Sequence, residues 1–223
     1  MDVYSQNLGV ILDGLKLTIE YSIVAVILEI LFGLIAALMR LAKNVVARGI
    51  GTIYVEIFRS TPLLVQLFFV VFGIPSVLPE VNDWFGQRNY PIIAAALTLA
   101  LNEGAYVTEI VRAGILGVDR GQKEAAASIG MTRFQAMRYI VLPQAFKRMI
   151  PPLVNQAAQT IKDTTLLAPI GVVEMMYRGE IVVAHTFAGF QIYGLVAVIY
   201  FIVIFTLSKT SAYLERRMQL DKR

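Results

Sequence analysis

A lysine, an aspartate and a threonine stand side by side, as Lys162, Asp163 and Thr164, inside a stretch long enough to cross a lipid bilayer. A charged group near the middle of a bilayer costs about 2.5–3.5 kcal/mol on insertion scales, so it is expected to be functional or paired. Because helix neighbours point about 100° apart, Lys162 and Asp163 either find separate partners or lie where the helix is locally unwound. Their opposite charges suit the carboxylate and the ammonium of one zwitterionic ligand.

Two other apolar stretches contribute polar side chains that are costly to expose to lipid. We therefore predict a ligand pathway lined by Gln66, Asn102, Glu103, Lys162, Asp163 and Thr164. Structural roles stay open for the same residues, since Lys162 and Asp163 could join two helices and Glu103 could pair with Lys162. Gln66 and Asn102 could instead form interhelical hydrogen bonds, each worth under about 2 kcal/mol.

Other residues in the apolar stretches fit purely structural roles. Glu29 is expected to find a partner inside the helix bundle. Glu56 and Arg59, spaced i and i+3, are expected to pair with each other. Gly33 and Ala37 share a helix face, where small side chains allow two helices to approach closely.

The composition identifies the environment of these residues. Hydrophobic residues make up 57% of the 223-residue chain and charged residues only 16%, against roughly 25% in an ordinary soluble domain. The chain lacks cysteine and has one histidine, His185, in a predicted outer loop, so a metal site is not expected. It also lacks the GxxxxGK[ST] loop that holds ATP phosphates. We therefore expect no catalytic residue, no metal and no cofactor in this chain.

Five stretches are apolar enough to cross the membrane as helices, which takes about 20 residues each. They cover residues 10–39, 50–74, 90–111, 149–173 and 187–208. The fourth is the most polar, so it is expected to face the bundle interior or a wet cavity. The sequence thus predicts an all-α membrane protein with five transmembrane helices in a single domain, 1–223.

Lysine and arginine are distributed unevenly between the connections. Three follow the first span, seven lie between the third and fourth spans and five in the C-terminal tail, against one in each remaining connection. Because positively charged loops stay in the cytoplasm, the N-terminus is predicted outside and the C-terminus cytoplasmic. The long connection 115–148 is then cytoplasmic, and residues 75–89, with Pro75, Pro79 and Gly86 as helix breakers, form an outer loop.

The long cytoplasmic connection has the pattern of two short helices. Residues 121–129 are good helix formers, and Gly130 follows them where a left-handed C-terminal residue is expected. Thr132 and Gln135 then have the spacing of a capping box. The second helix is predicted to stop at Pro143. The sequence therefore predicts a helix, a turn and a helix at the membrane surface.

A pattern of fixed spacing runs through this connection. It reads Glu-Ala-Ala, three residues, Gly, nine residues, Ile, one residue and Leu-Pro, and is supplied by Glu124, Ala125, Ala126, Gly130, Ile140, Leu142 and Pro143. The pattern resembles the signature loop of the permease subunits of bacterial ATP-binding-cassette importers. The segments FRSTPLLVQL, EIVRAGI and LPQAFKRMIP look like the branch of that family that takes up polar amino acids.

The resemblance implies that several proteins share the work. A cytoplasmic ATP-binding-cassette ATPase dimer would hold ATP and Mg²⁺. It would bind the helix predicted at residues 121–129, the coupling helix, through Glu124, Ala125, Ala126 and Gly130. An extracytoplasmic substrate-binding protein would deliver an amino acid. A second permease subunit, the same or a homologous chain, would complete the pathway across the bacterial cytoplasmic (inner) membrane. Contacts are expected with these proteins, the amino acid and membrane lipid, and not with nucleic acid.

The alternative is an ion-coupled secondary amino acid transporter with Glu103 and Asp163 as proton sites. Such transporters are commonly built from inverted repeats, which this sequence does not show. With two acids and one lysine, the third and fourth spans have a slight acidic excess, which favours a basic or neutral polar substrate. The sequence does not decide which amino acid is carried, whether the two permease subunits are identical, or whether Lys162 and Asp163 touch the substrate.

Overall fold

The computed structural model describes residues 3–218, and every regular element within them is a helix. The α-helices are α1 (Val3–Leu41), α2 (Val45–Ser60), α3 (Leu63–Phe68), α4 (Ile74–Val77), α5 (Glu80–Phe85), α6 (Tyr90–Leu116), α7 (Arg120–Ser128), α8 (Arg133–Ala136), α9 (Leu142–Asp163), α10 (Met175–Thr186) and α11 (Gly189–Met218). A π-helical turn at Phe69–Gly73 joins α3 to α4, and another at Met137–Val141 joins α8 to α9. The predicted all-α class is confirmed.

Three helices are long and apolar enough to cross a membrane, namely α1, α6 and residues Gly189–Arg217 of α11. α1 and α11 expose large apolar side chains along their outer faces, including Ile27 and Phe201. Outer faces of this kind suit hydrocarbon and would be unfavourable in water. These helices coincide with the first, third and fifth predicted spans.

The predicted second span, 50–74, is a broken pair of helices rather than one straight helix. α2 ends at Ser60, and the helical path Leu63–Val77 leaves it at an angle of 104°. The cause is local, because Thr61 takes an extended conformation with φ −120° and ψ 141°, as residues before proline prefer. The pair therefore counts as one broken span at most.

The predicted fourth span, 149–173, is also not a regular helix throughout. Its α-helical geometry ends at Asp163 and tightens into a 3-10 segment, Thr164–Ile170. Length and hydropathy therefore support three spans in the described part of the chain, or four if the broken pair is one span. They do not establish the five predicted spans.

The helix that begins after Thr132 does not stop at Pro143, so that prediction is wrong. α8, the π-helical turn and α9 form one helical path from Arg133 to Asp163. Pro143 is accommodated because it occupies the first turn of α9, where a missing N–H is tolerated. The π-helical turn just before it changes the hydrogen-bond register. α9 is therefore joined directly to the surface hairpin, which consists of α7, α8 and the turn between them (residues 120–136).

The left-handed Gly130 and the capping box predicted for the turn between α7 and α8 are confirmed, and Asp119 adds a cap that was not predicted. Asp119 begins α7 by accepting a hydrogen bond from the backbone N–H of Gly121 at 2.7 Å. Gly130 follows α7 with φ +79°, a left-handed conformation that favours glycine. Thr132 and Gln135 form the reciprocal capping box, with distances of 3.3 and 2.8 Å. Short-range hydrogen bonding thus fixes this turn.

The two connections predicted to lie outside are more ordered than predicted. α5 lies within the predicted loop 75–89, and α10 places His185 on an exposed helical turn rather than in a loop. Glu174 begins α10, accepting from the backbone N–H of Tyr177 at 2.8 Å and from the hydroxyl of Tyr200 at 3.1 Å. Because Glu174 is fully buried, α10 is fixed to the bundle by hydrogen bonds that its own sequence does not reveal.

One end of the bundle gathers the surface hairpin and the ends of α1, α6 and α11. Glu109 of α6 pairs with Arg40 near the end of α1. The hydroxyl of Ser211 in α11 donates to the carbonyl of Pro151 in α9 at 3.0 Å. The basic tail residues at positions 222–223 lie outside the described residues. This hairpin end is the one that the charge distribution predicts to be cytoplasmic.

α1 approaches α6 closely through small residues. A Cβ atom added to Gly33 would lie 2.5 Å from Cγ1 of Val107 and 2.9 Å from the carbonyl oxygen of Gly104. Ala37, one turn further on, is fully buried. Because lipid gives helices no hydrophobic reason to associate, close van der Waals packing must hold them together. The predicted packing roles of Gly33 and Ala37 are confirmed.

Gly33→Leu should therefore separate α1 from α6. We expect a stability loss of about 1–3 kcal/mol, as for overpacked cores, measured by thermal unfolding of the purified protein in detergent. Gly194→Leu is the matched control, because nothing lies within 4 Å of a Cβ at that position. Equal losses for the two variants would contradict the close approach.

Candidate functional site

A polar cavity of about 490 Å³ opens at the break between α2 and α3. α6 and α9 complete its walls. The lining residues are Arg59, Ser60, Thr61, Pro62, Leu63, Asn102, Glu103, Tyr106, Gln156, Gln159 and Asp163. The volume lies in the roughly 300–1,000 Å³ range of small-molecule sites.

Two carboxyl groups form the acidic side of this cavity. Glu103 of α6 is only 2% exposed and accepts a hydrogen bond from the side-chain amide of Gln156. Asp163 of α9 lines the same cavity. Gln159 donates to both oxygens of Asp163, at 3.1 and 3.0 Å. Within residues 3–218, each of these acids therefore accepts hydrogen bonds from an amide and makes no ion pair with a basic residue.

The break itself is held by side-chain amides. Asn102 donates to the backbone carbonyl of Phe58 and to the side-chain oxygen of Gln66, both at 3.0 Å. Gln66 donates to the same carbonyl at 3.1 Å and to the hydroxyl of Thr61 at 2.6 Å. These bonds satisfy a carbonyl that the end of α2 leaves without a helical partner. Asn102 also lines the cavity, whereas Gln66 faces a separate apolar cavity.

Lys162 and Thr164 do not line the polar cavity, contrary to the prediction. The Lys162 side chain is exposed and makes no ion pair within residues 3–218. Thr164 is buried and its hydroxyl donates to the carbonyl of Ile161 at 2.7 Å. α9 remains α-helical to Asp163, so its neighbour Lys162 points about 100° away. The alternative that Glu103 pairs with Lys162 is therefore not supported, since the described residues contain no such ion pair.

Arg59 also lines the cavity, although its spacing from Glu56 predicts a structural ion pair. Its guanidinium carbon lies 5.2 Å from the centroid of the Tyr106 ring. The expected ion pair with Glu56 is absent from the described part of the chain. The position of Arg59, two residues before the break at Thr61, was the available signal. Helical breaks in transporters commonly carry ligand groups.

The remaining residues that the prediction missed follow helical spacing. Gln156, Gln159 and Asp163 recur at i, i+3 and i+7 on one face of α9. Tyr106 lies one turn after Glu103 on α6. Once one cavity-lining residue of α6 or of α9 is known, the helical spacing in the sequence predicts the others on the same helix.

Glu29 is buried outside the cavity, on the neighbouring side of α9. It accepts a hydrogen bond from the hydroxyl of Thr160 at 2.7 Å. The prediction of a partner inside the bundle is confirmed.

The surface hairpin presents most of the pattern residues to solvent. Glu124, Ala125 and Gly130 are exposed, whereas Ala126 is only 3% exposed and packs inward. Two apolar side chains extend the exposed surface, with Ile129 at 74% and Phe134 at 71% exposure. A solvent-facing apolar surface next to a carboxylate is typical of a protein contact.

Two side chains of α9 hold the base of this hairpin. The guanidinium of Arg148 donates to the carbonyl of Gly117, at the end of α6. The amide of Gln144, one turn earlier, donates to the side chain of Gln122 on α7 at 3.4 Å. The same helix carries Gln156 of the cavity two turns later. α9 therefore connects the hairpin physically with the cavity.

A helical membrane protein with a solute-sized polar cavity at a broken span, joined to an exposed surface hairpin, has the architecture of a transport permease. Residues 29–220 match the family described as the binding-protein-dependent transport system inner membrane component. The chain therefore belongs to this family, the permease subunits of ATP-binding-cassette importers. The resemblance seen in the Glu-Ala-Ala pattern is confirmed.

Named relatives are similar over nearly their whole length. The glutamine transport system permease protein GlnP of Escherichia coli (strain K12) is 36% identical over 210 residues, covering 94% of this chain and 93% of the relative. The putative glutamine transport system permease protein GlnP of Rickettsia felis is 35% identical over 208 residues, covering 93% and 92%. These relatives are transport permeases rather than enzymes.

Solved structures agree with the helical arrangement. The crystal structure of an amino acid ABC transporter with histidines superposes with a TM-score of 0.88 at 35% identity, covering 97% of this chain and 99% of that one. An inward-facing form of the MetNI methionine ABC transporter gives 0.73 at 17% identity, covering 95% and 97%, and supports the fold alone. The ion-coupled secondary transporter is accordingly not favoured.

Gln156→Leu should destabilise the site, because it leaves the buried Glu103 carboxyl without its amide donor. We expect a loss of about 1–3 kcal/mol, measured by thermal unfolding of the purified protein. Gln87→Leu makes the same change at an exposed outer position and should have little effect. An unchanged melting temperature for Gln156→Leu would show that Glu103 does not depend on this contact.

Proposed function

We propose that this chain forms one half of a pathway that carries a polar amino acid across the bacterial cytoplasmic membrane, driven by a separate ATPase. The observation that carries the proposal is the polar cavity at the broken span, which is lined by one guanidinium and two carboxyls. A free amino acid has complementary groups, a carboxylate and an ammonium. Named relatives that transport glutamine, and a similar transporter of amino acids, support this reading.

The proposed binding mode assigns opposite ends of the substrate to groups of opposite charge in the cavity. Arg59 receives the α-carboxylate, because its guanidinium can form two parallel hydrogen bonds to it. Glu103 and Asp163 receive ammonium or guanidinium groups, and Asn102 contributes an amide. With two acids and one base, the cavity favours a basic or neutral polar amino acid over an acidic one.

In this proposal neither Lys162 nor Thr164 binds the substrate in the polar cavity. Thr164 satisfies the backbone at the end of α9. An exposed ammonium such as that of Lys162, in a spanning segment, is costly against lipid. We therefore place a second permease subunit, or the water-filled pathway between the two subunits, beside this face of α9.

The orientation proposed for the chain has five crossings, with the N-terminus outside and the C-terminus in the cytoplasm. α1, the broken pair from α2 to α4, α6, α9 with its 3-10 extension, and α11 would make these crossings. The positive charges at the hairpin end support this orientation. An extracytoplasmic substrate-binding protein would then approach the end that carries α5 and α10.

The ATPase would bind the exposed side of the hairpin. Glu124 offers a carboxylate for a basic partner group, and the apolar Ile129 and Phe134 offer contact area. ATP and Mg²⁺ are held by that partner. Movement of α7 would reach the cavity through α9, because Arg148 and Gln144 tie α9 to the hairpin. Such coupling requires two states of the whole assembly, each preferred by a different ligand.

Glu124→Arg should abolish amino acid uptake while the chain still inserts and folds. The reversal places a positive charge where a basic group of the ATPase is proposed to bind, and like charges repel. Uptake by cells expressing the complete transporter is the measurement. Glu80→Arg, the same change on exposed α5 at the opposite end, is the matched control. Normal uptake by the Glu124 variant would remove the coupling role.

Asp163→Asn and Glu103→Gln should each lower the uptake of a cationic amino acid such as arginine more than that of a neutral one. Losing a hydrogen bond to a charged group costs about 1.5–3 kcal/mol, which corresponds to roughly 10–100-fold. Competition uptake with a panel of amino acids measures the ratio. Glu20→Gln, an exposed acid on α1, is the control. An unchanged ratio would exclude both acids from the substrate site.

A further inference from the structure

An exposed stripe of aromatic and basic residues runs along the last turns of α11. At 100° per residue, Phe205, Lys209, Tyr213 and Arg217 lie within about 120° of one another around the helix axis. The rotation of α11 is fixed by Ser211, which is buried and donates to the carbonyl of Pro151. Since Ser211 lies about 160° away from Lys209, the stripe must point away from the bundle.

The stripe is an organised surface rather than a row of separate side chains. Phe205, Thr206, Lys209, Thr210 and Tyr213 line a shallow cavity of about 400 Å³. The ammonium of Lys209 lies 5.0 Å from the centroid of the Phe205 ring, and the guanidinium carbon of Arg217 lies 5.8 Å from that of Tyr213. Cation–π contacts of this kind hold the basic groups beside the aromatic rings.

The position of the stripe along α11 matches the boundary of a bilayer. Lys209 lies 20 residues after Gly189, the first residue of the helix, which is about 30 Å at 1.5 Å per residue and equals the hydrocarbon thickness. Towards the middle of the membrane the face is apolar, with the Phe201 and Phe205 rings stacked 5.4 Å apart. Beyond Lys209 the face is basic.

Hydrogen-bond donors remain available at this boundary. The hydroxyl groups of Thr206 and Thr210 already donate hydrogen bonds to backbone carbonyls one turn earlier, at 2.8 and 2.9 Å. The Lys209 ammonium and the Tyr213 hydroxyl make no hydrogen bond within residues 3–218 and stay free to donate. Glu215, the acidic residue of this segment, lies about 120° around the helix from Lys209. The stripe therefore combines apolar surface, positive charge and unused donors.

We propose that this stripe binds an anionic phospholipid of the cytoplasmic leaflet. The acyl chains lie along Phe201 and Phe205, and the phosphate accepts hydrogen bonds from Lys209 and Tyr213, with Arg217 adding a second positive charge. Basic residues just beyond a spanning segment attract anionic lipid. The inference rests on the orientation given under the proposed function, because it requires the hairpin end to be cytoplasmic.

The test is native mass spectrometry of the purified, delipidated transporter titrated with phosphatidylglycerol or phosphatidylcholine. The unaltered protein should retain phosphatidylglycerol and not phosphatidylcholine. Lys209→Gln should reduce phosphatidylglycerol occupancy about fivefold, the effect of roughly one surface charge near anionic lipid. Lys147→Gln, a change at an exposed lysine of α9 at the same end, should leave occupancy unchanged.

Several outcomes would overturn the proposal. These are equal losses for Lys209→Gln and Lys147→Gln, equal retention of the two lipids, or displacement of phosphatidylglycerol by inorganic phosphate. Because the chain has no native cysteine, Thr206→Cys gives a single reactive position. A disulfide between two copies at that position would show that protein, rather than lipid, covers the stripe.

The same single-cysteine variant separates this proposal from the transport proposal. Labelling of residue 206 in intact cells by a membrane-impermeant maleimide would place the stripe outside and overturn both the orientation and the lipid site. Normal uptake by Glu124→Arg would instead remove the coupling role and leave the lipid-binding result standing, because the lipid readout needs no transport.

Discussion

The structure depends on satisfying the backbone where a membrane-spanning path is broken. In hydrocarbon, an unpaired carbonyl or N–H costs several kcal/mol, so irregular backbone is tolerated only where protein or water supplies partners. The break between α2 and α3 frees the carbonyl of Phe58, and the amides of Gln66 and Asn102 donate to it. These two hydrogen bonds stabilise the 104° bend between α2 and α3, and the polar cavity lies at that bend.

The same constraint explains why the acids of the cavity sit beside amides. Gln156 of α9 donates to Glu103 of α6, and Gln159 donates to both oxygens of Asp163 one turn further along α9. An amide donates to a carboxyl in either protonation state, whereas a basic residue would neutralise it. In the proposed binding mode, the acids therefore stay available for a ligand that brings its own positive charge.

α9 connects the polar cavity with the surface hairpin. At its beginning it holds the surface hairpin through Gln144 and Arg148, and at its end it carries Asp163. In the proposed mechanism, a single helix that touches both regions would pass a displacement from one to the other without intermediate contacts. The π-helical turn Met137–Val141 lies between hairpin and helix, where such turns often mark functional positions.

The helical class, the family and the features whose causes lie within a few residues could all be predicted from the amino-acid sequence. The capping box at Thr132 and the left-handed Gly130 follow from short-range sterics and hydrogen bonding. The positions of Arg59 in the cavity wall and of Lys162 outside it could not be predicted in this way. A side chain's surroundings depend on helix rotation and on bends, which are set by contacts between residues distant in sequence. A hydropathy window averages only over neighbouring residues in the sequence and contains no information on such contacts. It therefore predicted one straight helix where the structure has a broken span.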